Sequence, residues 1–307
     1  MPELPEVEVI RRGLSERIIG RKVRRVEVLS SKNFIGPEQV LVGKEIIGVR
    51  RFGKVLVLDF SEGISMMIHL RMTGQIVIRG GFHGEFAGGH PSEGFVDELP
   101  NKQTRVIFVL DEGKMFFNDQ RKFGFCKVIP TAEVMEDEFI RKLGPEPWNI
   151  SAEDFYKKLQ RHQAAPIKAV ILDQKIIAGV GNIYADESLF LSGIYPGEKA
   201  GNVSFSEAEK LLLAIREVMD KSIESGGSTM KNYVKADGTR GDYLKLFANV
   251  FRREGESCPR CGEEILKIRI AGRGTHFCPK CQEKKMELEN SEGIFQRGES
   301  GEHGEMR

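Results

Sequence analysis

Cys258, Cys261, Cys278 and Cys281 form two Cys-x-x-Cys pairs with sixteen residues between them. Four thiolates arriving as two tight turns match what a tetrahedral Zn²⁺ requires, because each turn aims two sulfurs at one point and the intervening hairpin returns the second pair. Two disulfides are the alternative; they require an oxidising compartment, and the N-terminal residues lack the basic and apolar run of a secretory leader. A four-sulfur site has no open coordination position, so the single Zn²⁺ expected here is structural. Between the pairs, residues 265–270 alternate like a strand, and Gly272 and Gly274 flank Arg273 at the expected hairpin tip. A guanidinium presented there suits phosphate, and Arg252, Arg253, Arg260, Lys267, Arg269 and Lys280 add positive charge. A zinc ribbon used as a protein-docking knob is the other reading of this segment.

The opposite end, Met1-Pro-Glu-Leu-Pro-Glu-Val-Glu8, carries a second kind of chemistry. Removal of Met1 leaves Pro2 with a free secondary amine, and α-amino groups titrate well below lysine, so the amine is nucleophilic near neutral pH. It can attack an aldehydic carbon to give an iminium ion, with Glu3 beside it as proton donor and acceptor. Two prolines that merely begin a helix explain the same residues.

Both sites need elements to hold them. With 307 residues, 40% of them hydrophobic, the chain can bury one large or two ordinary cores, and no apolar stretch is long enough to cross a bilayer. It reads as a soluble intracellular protein. The net charge of +1 is low for a nucleic-acid binder, but residues 231–281 carry eleven Lys/Arg against six Asp/Glu, while residues 282–307 carry four against seven. Local field, not overall balance, decides a binding surface. The fifth cysteine, Cys126, lies in an apolar strand-like run and reads as buried and inert.

Residues 6–19 show helical spacing at Val7, Ile10, Leu14 and Ile18. Short β-branched runs follow at 22–29, 45–51, 55–60, 64–70, 75–78, 105–110, 114–118 and 123–129, which predicts a β-sandwich or flattened barrel. Residues 80–103, rich in Gly, His and Pro, read as a mobile surface loop. The prolines and glycine of 143–148 mark a linker, and helices are predicted at 152–161 after a Ser151 cap, 167–173, 185–191 and 206–224, the last with a capping arrangement in 205–209. Gly179 and Gly181 precede a helix; they either let the chain approach a phosphate or make a tight interhelical turn. The polar tail after Gln282 is expected to be disordered.

Six motifs in order over residues 2–282 carry a resemblance: Pro2-Glu-Leu-Pro-Glu-Val-Glu8, His69-Leu-Arg-Met-Thr-Gly74, Asn118-Asp-Gln-Arg-Lys-Phe-Gly124, Gly144-Pro-Glu-Pro147, Gly179-Val-Gly-Asn-Ile-Tyr-Ala185, and Gly272-Arg-Gly-Thr-His-Phe-Cys278 within the cysteine finger. Together they resemble the bacterial formamidopyrimidine-DNA glycosylase family, and the sibling endonuclease VIII group is less similar at the Pro-Glu-Leu-Pro start. The resemblance implies an α+β multidomain protein: an N-terminal catalytic β-sandwich with flanking helices over 1–135, a linker at 136–150, a helix-two-turn-helix domain with a lesion loop over 151–243, a four-cysteine zinc finger at 244–282 and a tail at 283–307. It implies Pro2 as the Schiff-base nucleophile, Glu3 as its acid/base partner, Lys54 in β-elimination and Arg273 in δ-elimination and phosphate grip. His69, Lys168 and Asn182 fall on DNA-contacting positions. Met72, Arg121 and Phe123 match the trio that fills the space left by the extruded base and meets the orphaned cytosine.

The sequence departs from that pattern where Gln103 replaces a DNA-contacting His, Phe251 a phosphate-bonding Tyr, Lys122 a frequent second Arg and Ala164 a basic residue. Each departure weakens contacts outside the catalytic centre. The implied activity is excision of oxidised purines from damaged double-stranded DNA, followed by nicking of the abasic strand, by a cytoplasmic monomer that engages no membrane. The rival expectations are an endonuclease VIII-like enzyme for oxidised pyrimidines and a zinc-ribbon DNA-binding protein without catalysis.

Overall fold

The computed structural model describes residues 1–81, 84–90, 98–227 and 248–285. Helix α1 (Leu4–Ile18) opens the chain, with Pro5 in its first turn and a capping box in which Glu3 and Glu6 exchange contacts with each other's backbone. Ten strands follow: β1 (Val23–Val28), β2 (Phe34–Ile35), β3 (Ile46–Phe52), β4 (Val55–Phe60), β5 (Ile64–His69), β6 (Gly74–Arg79), β7 (Phe86–Gly89), β8 (Thr104–Leu110), β9 (Lys114–Asp119) and β10 (Phe125–Pro130). They form two five-stranded sheets in the orders β1-β8-β9-β6-β7 and β2-β10-β5-β4-β3. The inward-facing alternate residues of both sheets, among them Leu56, Leu58, Met66, Ile68, Ile76, Val106, Phe108 and Phe117, join Val7, Ile10 and Leu14 of α1 in one core. Cys126 lies in that core, and burial pushes its thiol well above the usual range.

Two expectations need correction here. The loop read at 80–103 contains β7, which pairs with β6 and buries Phe86. Its glycines hide the strand from a propensity reading, yet they are required: a Cβ at Gly88 would meet Ile10 of α1 at 2.5 Å, so the helix can rest on this edge only where side chains are missing. The last run predicted in the domain starts at Phe125, not at 123, leaving Phe123 55% exposed ahead of the strand.

A short α2 (Glu138–Arg141) leads to α3 (Ala152–Gln160), α4 (Ile167–Leu172), α5 (Asn182–Ser192) and α6 (Phe205–Glu224). Ser151 caps α3 by accepting from Asp154 N–H. The capping box of α6 is Ser204 with Glu207, two residues earlier than the sequence suggested, and α5 begins three residues before its expected start, at Asn182. These helices enclose a second core that also receives Leu4 from α1. Arg51 ties the two halves: its guanidinium pairs with both oxygens of Glu146 at 2.6 and 3.0 Å and with Glu8 at 3.0 Å. The hairpin of β11 (Leu266–Ile270) and β12 (Arg273–Phe277) completes the described chain. The expected lesion loop falls mainly at 228–247 and the tail mainly at 286–307, both outside the described residues.

Candidate active site

Glu3 sits where the two cores meet. Its Oε1 accepts from Ile183 N–H at 3.1 Å, at the first turn of α5, so a helix N-terminus in one domain receives a carboxyl from the other. Gly181 makes the approach possible, since a Cβ there would come within 2.1 Å of the Glu3 carboxyl carbon. The paired glycines shape the turn that opens α5, with Gly179 at positive φ and Gly181 at the N-cap. The acid that this turn admits is the protein's own Glu3. Gln174 fixes the turn by donating to Val180 O at 2.8 Å and accepting from Gly179 N–H at 2.9 Å.

The second oxygen of Glu3 is buried and has no hydrogen-bond partner among the described residues. Burial raises the carboxyl to about 7, against the lowering pull of the Lys54 charge, so near neutral pH it exchanges readily between acid and base. Lys54, also buried, donates to Val180 O at 2.8 Å, and desolvation lowers its ammonium below the ordinary lysine value. Met1 caps the Pro2 nitrogen as an amide; burial is the main cause that lowers the terminal amine in this position. Beneath Glu3, Glu6 accepts from Tyr184 Oη at 2.5 Å, and that hydroxyl also meets Ser222 Oγ at 2.6 Å. This polar column lies inside the helical seam and holds the first turn of α1 still.

A cleft of about 380 Å³ opens beside these groups, lined by Met1, Lys54, His69, Arg71, Phe139, Lys142 and Lys175. Strand register sets two of its walls, because Val55, next to Lys54, pairs directly with His69. Burial, followed by the Arg71 and Lys54 charges, lowers His69 to about 3. Its neutral ring accepts Arg71 N–H on Nδ1 at 3.0 Å, leaving Nε2 as the donor.

Met72, Arg121 and Phe123 come together at one end of the sandwich. Gly74 pairs with Asp119, so the turn after β5 and the turn after β9 emerge side by side. Asp119, fully buried, staples them: it accepts from Thr73 Oγ1 and from Gly124 N–H at 2.7 Å, while Arg121 N–H donates to Thr73 at 3.0 Å. The Arg121 guanidinium lies 4.8 Å over the exposed Phe123 ring. Gln103 is buried nearby, its carbonyl accepting from Asp119 N–H at 2.9 Å.

The four cysteine sulfurs lie within 4.8 Å of one another, with Cys258–Cys281 at 3.9 Å and Cys261–Cys278 at 3.5 Å. Tetrahedral Zn–S bonds of about 2.3 Å place sulfurs about 3.8 Å apart, so the donor set fits one structural Zn²⁺. The module docks through buried polar groups. Gln282 accepts from Cys278 N–H and donates to Ile194 O, and Glu187 of α5 accepts from the backbone of Asn249, Val250 and Phe251.

Arg273 follows the left-handed pair Ala271 and Gly272, whose turn starts β12, and its side chain is exposed. The neighbouring Gly274 O is gripped from below by Lys168 Nζ at 3.1 Å and Asn182 Nδ2 at 3.0 Å. Lys168 has no exposure in this state; its ammonium also pairs with Asp186 at 2.6 Å and donates to Thr275 Oγ1 at 2.8 Å. Asp186 in turn accepts His276 N–H at 3.0 Å, and His276 Nε2 meets Glu254 at 2.8 Å. Asp186, Thr275, His276, Tyr184 and Glu6 were not singled out from sequence. The available signal was the spacing of Asn182 and Asp186, which places them one helical turn apart on the same face of α5.

A β-sandwich and a helical domain that share one buried carboxyl raised to about 7, with a four-cysteine hairpin docked on the helices, define a three-module protein. Comparison with known proteins agrees. Three family models match: the formamidopyrimidine-DNA glycosylase N-terminal domain over residues 1–126, the H2TH domain of that enzyme over 143–234, and the zinc finger it shares with isoleucyl-tRNA synthetase over 255–284. The formamidopyrimidine-DNA glycosylase of Pelotomaculum thermopropionicum is 39% identical over 292 residues, covering 93% of this chain and 100% of the relative; that of Latilactobacillus sakei is 39% identical over 293 residues, covering 93% and 99%. The Lactococcus lactis enzyme in complex with DNA containing an abasic site superposes with a TM-score of 0.80 at 35% identity, covering 92% of this chain and 100% of that one. The chain belongs to the formamidopyrimidine-DNA glycosylase family.

Proposed function

We propose that this chain is a bifunctional DNA glycosylase and abasic-site lyase of base excision repair that removes oxidised purines from duplex DNA. After Met1 is removed, the Pro2 amine attacks C1′ of the extruded nucleotide. The glycosidic bond breaks, its electron pair leaves with the base, and a proton reaches the departing fragment. The C1′–O4′ bond then opens, its electron pair leaving on O4′ with a proton supplied there, and the iminium so formed between Pro2 and C1′ acidifies C2′–H, whose loss expels the 3′ phosphate. Glu3 handles protons at the sugar, Lys54 assists β-elimination, and Arg273 holds the flanking phosphate through the second elimination. Met72, Arg121 and Phe123 fill the emptied stack, while His69, Asn182, Gln103 and Lys168 serve the DNA-facing surface, the last by setting the height of the Arg273 hairpin. The protein acts as a monomer in the cytoplasm; among the described residues no helix is long and apolar enough to cross a membrane.

The observation that carries this reading is the buried Glu3 carboxyl beside Pro2, raised to about 7 under the charge of Lys54, with one oxygen that has no hydrogen-bond partner among the described residues. A solved complex of the Lactococcus lactis enzyme contains a Fapy-dG lesion, and another contains an oxidised pyrimidine, so lesion class is settled only by assay. Borohydride added during reaction with an 8-oxoguanine:cytosine duplex should fix protein to DNA through Pro2. Equal crosslinking by Pro2→Gly, or an adduct mapped to another residue, would remove Pro2 from its role. A duplex series with thymine glycol in place of the purine lesion separates the two substrate classes.

A further inference from the structure

Five non-glycine residues among those described adopt a left-handed backbone: Glu62, Arg71, Lys122, Arg252 and Ala271. Side chains resist that conformation, so a cation kept there calls for a cause. Arg71, with φ 52°, follows β5 and lines the cleft with Met1, Lys54 and His69. Arg252, with φ 60°, stands at the base of the zinc module, beside a Phe251 ring that packs edge-on against His276 at 5.2 Å, three residues from Arg273. Its charge reaches the Met1 amine and the His90 ring, contributing after burial to the lowering of both. The two arginines therefore belong to different modules that converge on the N-terminus.

They share a second property. Both are exposed, and each guanidinium rests on a phenyl ring, Arg71 at 5.3 Å over Phe139 and Arg252 at 5.7 Å over Phe251. Neither forms a salt bridge with a described carboxylate, whereas Arg11, Arg12, Arg50, Arg51 and Arg253 all do. Stacking on a ring limits the rotamers of a guanidinium but leaves its edge N–H donors facing outward, which preorganises a fork for a tetrahedral anion. Lys54, Lys142 and Lys175 line the same cleft as Arg71 and outnumber its one acid, Asp173, so the field there is positive on balance.

We propose that Arg71 and Arg252 are a pair of phosphodiester clamps, one on each module, which grip the DNA backbone around the nucleotide presented to Pro2. The proposal rests on the duplex-DNA reading given above. Their strained backbone aims the two forks before DNA arrives.

The test is salt titration of binding to a duplex carrying a tetrahydrofuran abasic analogue, using the full chain with Arg71→Gly, Arg252→Gly, the double variant, and lysine at each position. Glycine accepts the left-handed φ, so the fold should keep its thermal midpoint while the charge disappears. Each glycine variant should flatten the slope of log K against log[salt] by about 0.9, and the double variant by about twice that. Lysine at either position should restore the slope. An unchanged slope in the glycine variants overturns the proposal, as does a failure of lysine to restore it; a fallen thermal midpoint with an unchanged slope assigns the arginines to the fold instead. Absence of duplex binding by the wild-type protein would strike at the DNA reading itself.

Discussion

The seam around Glu3 and the zinc hairpin around Arg273 both bring a charge to bear on Lys54, and they are held in place by different physical means. Glu3 is 3% exposed and its position follows from two apolar cores that close over it, with the N-terminus of α5 donating to it across the seam. Arg273 is exposed on a module whose apolar cluster has only five buried members, one of them Phe190 of α5 and two of them metal-ligating cysteines. That module relies on Zn²⁺ and on buried polar contacts: Lys168 with Asp186, Glu187 with three backbone N–H groups, and Gln282 with Ile194. The contrast separates two needs. A proton-transfer group has to be dry and fixed so that its titration can be shifted, whereas a phosphate grip has to be wet and strongly charged until DNA covers it.

The sharpest way to break this comparison is at Glu3. Glu3→Gln keeps the shape and the Ile183 contact but removes the proton, so single-turnover base release should slow by about 10³-fold with duplex affinity intact. Near-normal release would show that the buried carboxyl is structural. Loss of metal tests the other region: chelation of Zn²⁺, or Cys261→Ser, should weaken damaged-duplex binding by at least about 100-fold, while the β-sandwich keeps its own unfolding transition. Tight lesion binding by a verified zinc-free sample would end the clamp assignment.

A third outcome concerns pH. The neutral form of Glu3 is favoured in the fold, because burial lifts it from its ordinary value to about 7. Stability from this group is therefore full below about pH 4.5 and is lost as pH rises through 7. Glu3→Gln should escape that loss, gaining about 2 kcal/mol more relative to wild type at pH 8 than at pH 5 in denaturant titrations. A pH-independent difference would place Glu3 in a wetter setting than the structure shows. The smallest effect is expected at the exposed ring of Phe123. Phe123→Ala should slow excision from a damaged duplex about 10-fold yet leave nicking of a preformed abasic site nearly untouched, since no base then has to be drawn out. Equal rates on the damaged duplex would return Phe123 to an ordinary surface role.

Much of both regions was legible in sequence, for reasons that differ. Cysteine spacing fixes a metal site without any knowledge of the fold, and the four sulfurs converge as their spacing requires. Alternating β-branched runs located eight of the ten sandwich strands, and heptad-like spacing located α1. The strand β7 was missed because Phe86-Ala-Gly-Gly89 has loop composition, and only the pressure of α1 on Gly88 explains it. The helix-start glycines at 179 and 181 offered a phosphate site as one option, yet the groups they admit are Leu4 and Glu3, which lie about 175 residues away in sequence. Asp119 and Asp186 were equally hidden. A buried carboxylate that staples two loops has no periodicity of its own, and its meaning appears only once its partners are adjacent.

Ile183 is the donor that reaches Glu3 from the helical domain, so the orientation of this carboxyl depends in part on a neighbour outside its own sandwich. A β-sandwich that drifted from its helical neighbour would still carry Pro2 and Lys54, but its carboxyl would lose both the N–H that orients it and the wall that keeps it dry. Reactivity is thus conditional on assembly, as in a lock that needs two keys turned together. On the proposed mechanism, a molecule whose two domains had come apart would keep the Pro2 amine but lose the dry, oriented carboxyl that works beside it.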